Sequence, residues 1–153
     1  LTPEPAEGLI MQDGRTPDIF LQLPAELLFL PAVGHFSKAV FSRYPALQER
    51  EDQMAYFLEL VIYESCTNVI RHAYEPEQPG IFQLKVWFEP DRVVINVVDF
   101  GRGFDPDAVP APDLDNPKEG GMGLFIIRQT VDEFAYFLGG RGAGNTMRLV
   151  KKL

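Results

Sequence analysis

Glu64-Ser-Cys-Thr-Asn68 is the centre of the stretch that decides how this chain folds, and that stretch runs from Glu51 to Tyr74. Ala55, Leu58, Val61, Ile62, Val69 and Ala73 recur at helical spacing, which predicts a helix of about six turns with one face toward a core. Glu64 and Asn68 are four residues apart, so they lie about 40° apart around the axis, one turn above the other. Both fall at the edge of the apolar stripe, where a helix borders a pocket. A carboxylate and a carboxamide stacked there can act as proton acceptor and metal ligand beside a phosphate. For the pair alone, a partly solvated Glu beside a helix-satisfied Asn is the plainer reading. The downstream sequence decides between them.

Composition bounds the answer. A chain of 153 residues suits one domain with one sizeable core. An apolar share of 46% and a charged share of 24% are those of a soluble globular protein. The net charge of −8 argues against a nucleic-acid surface, because phosphate backbones need clustered Lys and Arg. Cys66 is the lone cysteine and sits in the apolar part of the central helix, so a buried, reduced thiol and a cytoplasmic compartment are expected. No run approaches a membrane span and no signal peptide is visible. The opening on Leu1 leaves room for a processed protein or a fragment of a longer one.

Along the chain, residues 1–17 carry Pro3, Pro5, Gly8, Gly14 and Pro17 without periodicity and read as a flexible arm or linker, leaving 18–153 as the folded domain. Ile19–Leu23 reads as a short strand. A helix is expected from Leu30 to Ser42, with Val33, Phe36, Val40 and Phe41 on one face, Pro31 in its first turn and Pro45 past its end. His35 and Ser37 on it read as surface or satisfied polar positions. After a proline-rich acidic turn, Ile81–Glu89 and Arg92–Val98 form a predicted antiparallel hairpin. Phe82, Leu84, Val86 and Phe88 are on its core side, with Gln83, Lys85 and Trp87 opposite. Residues 99–120 lack periodicity, and a long loop inside a compact domain is usually functional. A helix over Met122–Val131 and strands over Glu133–Leu138 and Asn145–Lys151 complete the chain. This order predicts an α+β two-layer sandwich, a mixed, mostly antiparallel sheet covered on one face by three helices.

The chemistry concentrates around the long loop. Asp99-Phe-Gly101-Arg-Gly103 follows the strand Val93–Val98, and a carboxylate at a strand end can accept a hydrogen bond from an exocyclic amine such as adenine's. The glycines let backbone pass close to a ligand. Taken alone, the pattern is also that of an ordinary turn. Gly120-Gly121-Met122-Gly123-Leu124 enters a helix, where unpaired N–H groups and the helix dipole favour phosphate oxygens; capping and tight packing are the plainer explanation. It is not a Walker A loop, since Gly-Lys-Ser/Thr is missing, nor a Rossmann fingerprint, since no strand leads straight into it.

Taken together and in order, these motifs with Asn145-Thr146 resemble the nucleotide-binding (Bergerat, or GHKL) fold of gyrases, large heat-shock ATPases, sensor histidine kinases and mismatch-repair ATPases. Within it the chain is most similar to the bacterial anti-sigma factor serine kinases. Glu64-Ser-Cys-Thr-Asn68-Val-Ile-Arg-His-Ala-Tyr74 resembles their N box, Asp99-Phe-Gly-Arg-Gly-Phe-Asp-Pro106 their first glycine box, and Gly120-Gly-Met-Gly-Leu-Phe-Ile-Ile-Arg128 their second. The likeness spans about Ile19 to Leu153. It implies Glu64 as general base, Asn68 as Mg²⁺ ligand beside the ATP phosphates, and Asp99 on the adenine amine with Gly101 and Gly103 lining the base pocket. It further implies residues 104–119 as the ATP lid, Gly121, Met122 and Gly123 at the phosphates, and Thr146 under the adenine. Arg71 or His72 is a possible phosphate contact or a surface residue. The implied activity is ATP- and Mg²⁺-dependent serine phosphorylation of an anti-anti-sigma factor, with sequestration of a sigma factor and homodimerisation. The competing readings are an ATP-gated binding module, or detached domain of a phosphatase-type regulator, that transfers little phosphate, and an ATPase whose lid closure drives dimerisation. Glu64 favours the kinase, since a pure binder needs no base there.

Overall fold

The computed structural model describes residues 14–48, 53–116, 121–139 and 143–153. Five strands form one sheet: β1 (Ile19–Pro24), β2 (Ile81–Glu89), β3 (Arg92–Asp99), β4 (Glu133–Phe137) and β5 (Asn145–Lys152). The helices are α1 (Leu30–Phe41), α2 (Pro45–Gln48), α3 (Gln53–His72) and α4 (Met122–Thr130), with a 3-10 turn at Leu27–Phe29. The expected α+β sandwich is present. Among the described residues every strand pair is antiparallel, in the order β1-β2-β3-β5-β4, so the sheet is antiparallel rather than mixed.

Alternation along the strands sends Leu84, Val86, Ile95, Val97, Met147 and Leu149 to one face, where they share a core with Val33, Phe41, Leu58, Val61, Ile62, Cys66 and Ile127 of the helices. Because β5 inserts between β3 and β4, the connection from β3 must cross the sheet end and return. That crossing holds the long loop and α4, and it seats α4 beside α3 at the C-terminal end of β3.

Three local expectations change. Pro45 does not simply stop α1; it opens α2, since proline is suited to a first helical position, and Leu47 is buried there. Ser37 is neither exposed nor satisfied: it is buried in α1 and its hydroxyl has no hydrogen-bond partner. The second sheet face is covered as well, with Gln83, Lys85 and Trp87 buried and Trp87 packed with Val94 and Val150 in a separate cluster. Of the expected arm, residues 1–13 lie outside the described residues. Arg15 is fastened, its carbonyl accepting from Trp87 Nε1 at 3.1 Å and its guanidinium donating to Asp18 at 2.8 Å.

Candidate nucleotide site

α3 carries Glu64 and Asn68 on the side that faces α4, where they meet Gly123. A Cβ built there would stand 2.7 Å from Glu64 Oε2 and 3.3 Å from Asn68 Oδ1. The missing side chain is therefore what lets both polar groups reach the start of α4. Gly121 caps that helix with φ +80°, a conformation that glycine adopts without strain, and having no side chain it leaves the helix's first amides without a capping bond from the N-cap residue. Asn68, His72, Arg102, Gly103, Phe104, Val109, Gly121 and Leu124 line a cavity of about 370 Å³ in front of those amides, within the usual size of a small-molecule site.

Asp99 ends β3 on the helix-covered face and is almost wholly buried. Its Oδ1 accepts from the Gly101 amide and from Asn145 Nδ2, both at 3.0 Å, and among the described residues no donor bonds Oδ2. Burial raises the Asp99 carboxyl above its ordinary value, and those two donors offset the rise only in part. Asn68, Val97, Asp99, Phe104, Tyr136 and Met147 border a niche of about 20 Å³ here. The Phe104 and Tyr136 rings, 4.6 Å apart, wall it, so a purine needs one of them to move aside. The Tyr136 hydroxyl is buried without a hydrogen-bond partner and borders the same niche, a second polar atom for a base. Burial and the Asp99 charge both raise its pKa. The Phe104 backbone lies close enough to temper that rise but offers no hydrogen bond of good geometry.

Asn68, His72, Arg102 and Phe104 border both spaces, so the niche at Asp99 and the cavity at α4 are two ends of one cleft. His72 is thus at the cleft, one turn beyond Asn68, whereas Arg71 borders neither space. Gly101 sits tight on α3, where a Cβ would run into the Ala73 carbonyl, and a Cβ on Gly103 would run into Leu138. Of the lid, Phe104–Asn116 is described and 117–119 is not. Its near end is latched by Arg128 of α4, which donates to the Pro106 carbonyl at 3.2 Å and pairs with Asp107 at 2.9 Å.

Two expected contacts differ. Thr146, expected under the base, pairs with Val98 on the sheet face away from Asp99, whereas its neighbour Asn145 pairs with Asp99. Asn145 also donates to the Gly101 carbonyl and accepts from the Gly139 amide, tying the loop after β3 to the loop after β4. Strand parity was the available signal, since residues 145 and 147 share the face of Asp99. Met122 opens α4 but borders neither end of the cleft.

Among the described residues no three His, Cys, Asp or Glu side chains gather as a metal site. Asn68 beside the glycine cradle nevertheless fits Mg²⁺, an ion usually held by one or two protein ligands plus phosphates and water.

A two-layer sandwich with a carboxylate at a strand end, a polar pair on one helix and an uncapped glycine-led helix facing them defines a nucleotide-binding ATPase class of domain. Residues 23–151 match the model of the histidine kinase-like ATPase domain. The serine-protein kinase RsbW of Bacillus velezensis is 30% identical over 124 residues, covering 75% of this chain and 74% of that protein. Its namesake from Staphylococcus epidermidis is 28% identical over 143 residues, 87% of this chain and 85% of that one. The histidine kinase domain of the Erythrobacter litoralis blue-light activated kinase superposes with a TM-score of 0.52 at 23% identity, over 86% of this chain and 62% of that structure; that likeness concerns the fold. The chain belongs to the histidine kinase-like ATPase domain family, in its branch of anti-sigma factor serine kinases similar to RsbW.

Proposed function

We propose that this protein is a Mg²⁺- and ATP-dependent serine kinase that phosphorylates an anti-anti-sigma factor and holds a sigma factor inactive when that factor is modified. The observation that carries this is the convergence of Glu64 and Asn68 on Gly123 at the start of α4, with Asn68 lining a cleft whose other end holds Asp99. When bound, Mg²⁺ neutralises phosphate charge. Asn68 would hold the ion, the first amides of α4 would receive phosphate oxygens, and Asp99 would accept the adenine amine. Glu64, at the same end as Asn68, would take the proton from the attacking serine hydroxyl, which makes that oxygen a better nucleophile. His72 would approach the phosphates from the turn beyond Asn68.

The relatives' printed name, serine-protein kinase, supports the transfer step. Among the described residues no helix is long and apolar enough to cross a membrane, which agrees with a cytoplasmic protein partner. A homodimer, implied by the family, is checked by light scattering of the intact chain.

The decisive experiment incubates the protein with γ-labelled ATP, Mg²⁺ and a candidate anti-anti-sigma protein. Serine labelling is expected with the wild type and is lost in Glu64→Gln and in Asn68→Ala, while Glu64→Gln still binds ATP. Tight ATP binding with no labelling of any such protein would overturn the kinase in favour of a nucleotide-gated binding module.

A further inference from the structure

Tyr74 stands just past the end of α3, where the helix carrying Glu64 and Asn68 meets the strand ends. Its hydroxyl accepts from the Phe100 amide at 2.7 Å and donates to the Ile81 carbonyl at 2.6 Å. Phe100 directly follows Asp99, and Ile81 opens β2, so one hydroxyl joins the helix to two strands. The ring is confined as well. A Cβ at Gly80 would run into it, and one at Gly101 would stand 3.1 Å from its Cδ1. Other bonds reach the same corner: the Arg102 amide donates to the Ala73 carbonyl and Arg102 Nε to the His72 carbonyl, both at 3.0 Å. Those bonds hold the loop farther along. The amide of the peptide that leaves Asp99 is held by Tyr74.

We propose that Tyr74 is a positioning residue for purine recognition: by tying the Phe100 amide to α3, it sets where Asp99 Oδ2 is presented relative to Asn68. A nucleotide must reach both groups at once. Asp99 and Asn68 sit on different elements, and the short bond at Tyr74 is what couples the peptide after Asp99 to the helix. The proposal rests on the reading that Asp99 accepts the adenine amine.

Affinities for ATP and for ITP, which carries an oxygen in place of that amine, are measured by calorimetry for the wild type and Tyr74→Phe. Phe keeps the ring and removes only the hydroxyl. Wild type is expected to prefer ATP. In Tyr74→Phe the preference should fall roughly tenfold, the scale of one well-placed hydrogen bond to a charged group, with ITP affinity nearly unchanged. The KM for ATP should rise in step while kcat at saturating ATP holds. A variant that melts earlier yet keeps the wild-type preference overturns the proposal, since that is what a purely structural tyrosine would do. If Tyr74→Phe does not fold, Gly80→Ala pushes the ring aside with its hydroxyl intact and must give the same loss of preference; an unchanged preference there also overturns it. A wild type that does not distinguish ATP from ITP sinks the adenine reading itself, an outcome visible before any variant is made.

Discussion

Glycine 123 sets the chemistry at the start of α4, because Glu64 and Asn68 occupy the space a side chain would fill. Gly123→Ala places a methyl 2.7 Å from Glu64 Oε2, so the carboxylate must shift. Labelling of the acceptor protein is expected to fall at least about tenfold, the scale of a misplaced general base. ATP affinity should change far less, since Asp99 is at the other end; equal losses in both would mean the helix, not the base, was disturbed. Asp99 itself carries a cost. Burial raises its carboxyl above the ordinary value of 3.8, so the folded state binds the proton more readily than the unfolded chain. Stability therefore falls as pH rises from 3.8 through the raised value, and the loss is complete above it. Asp99→Asn is expected to melt higher than wild type at pH 7, with the gain narrowing toward pH 4, and to lose the preference for ATP over ITP. A lower melting temperature at pH 7 would show that the carboxylate's hydrogen bonds outweigh its burial. Asp99 was legible in the sequence because strand, carboxylate and glycines stand together. Asn145 was not, because a one-residue shift in a strand start exchanges the two faces of the sheet, and only the pairing with Asp99 fixes which residue turns inward.

At the level of elements, periodicity served best where burial is one-sided and long. α3 was legible from its apolar spacing, and so were the β2–β3 hairpin and the start of α4 at Met122. It failed where both sides are covered. Gln83 and Lys85 looked like the solvent side of β2, yet they are buried, because coverage of the second face leaves no periodic trace in the strand. Ser37 failed for a related reason: a small polar residue inside a helix reads as exposed unless its neighbours are known. Cys66 was legible, being placed on the apolar stripe of α3. It is fully buried, and burial pushes its thiol up to about 12, far from the thiolate that reacts. Native protein at pH 8 is therefore expected to react with a disulfide reagent only as fast as α3 opens, with the rate rising in urea in step with loss of helical circular dichroism. Rapid labelling without denaturant would mean that α3 opens locally on its own.

For the whole molecule, the two ends of the cleft come from parts distant in sequence: α3 supplies one wall, the β3 end another, and α4 with the latched lid the third. A nucleotide that touches all three should hold the fold together, and binding to the folded state alone stabilises it by mass action. At a free ligand concentration about one hundred times Kd the gain is about 2.7 kcal/mol. For a domain of this size each kcal/mol moves the melting temperature by about 2–4 °C, so a rise of about 5–10 °C is expected with Mg²⁺ and ATP together. The partition of that rise tests the layout. Removing Mg²⁺ or making Asn68→Ala should erase much the same part of it, since the ion would rest on that residue. Making Asp99→Asn should erase the difference between ATP and ITP and leave the Mg²⁺ effect. Arg128→Ala, which frees the lid from α4, should shrink the rise for any nucleotide without touching either selectivity. If Asn68→Ala kept the whole Mg²⁺-dependent part, the ion would be held elsewhere and the α3 wall would not be its site. If no nucleotide moved the melting temperature, the cleft would not be a nucleotide site, and the Asp99 carboxylate and the uncapped α4 would need another ligand.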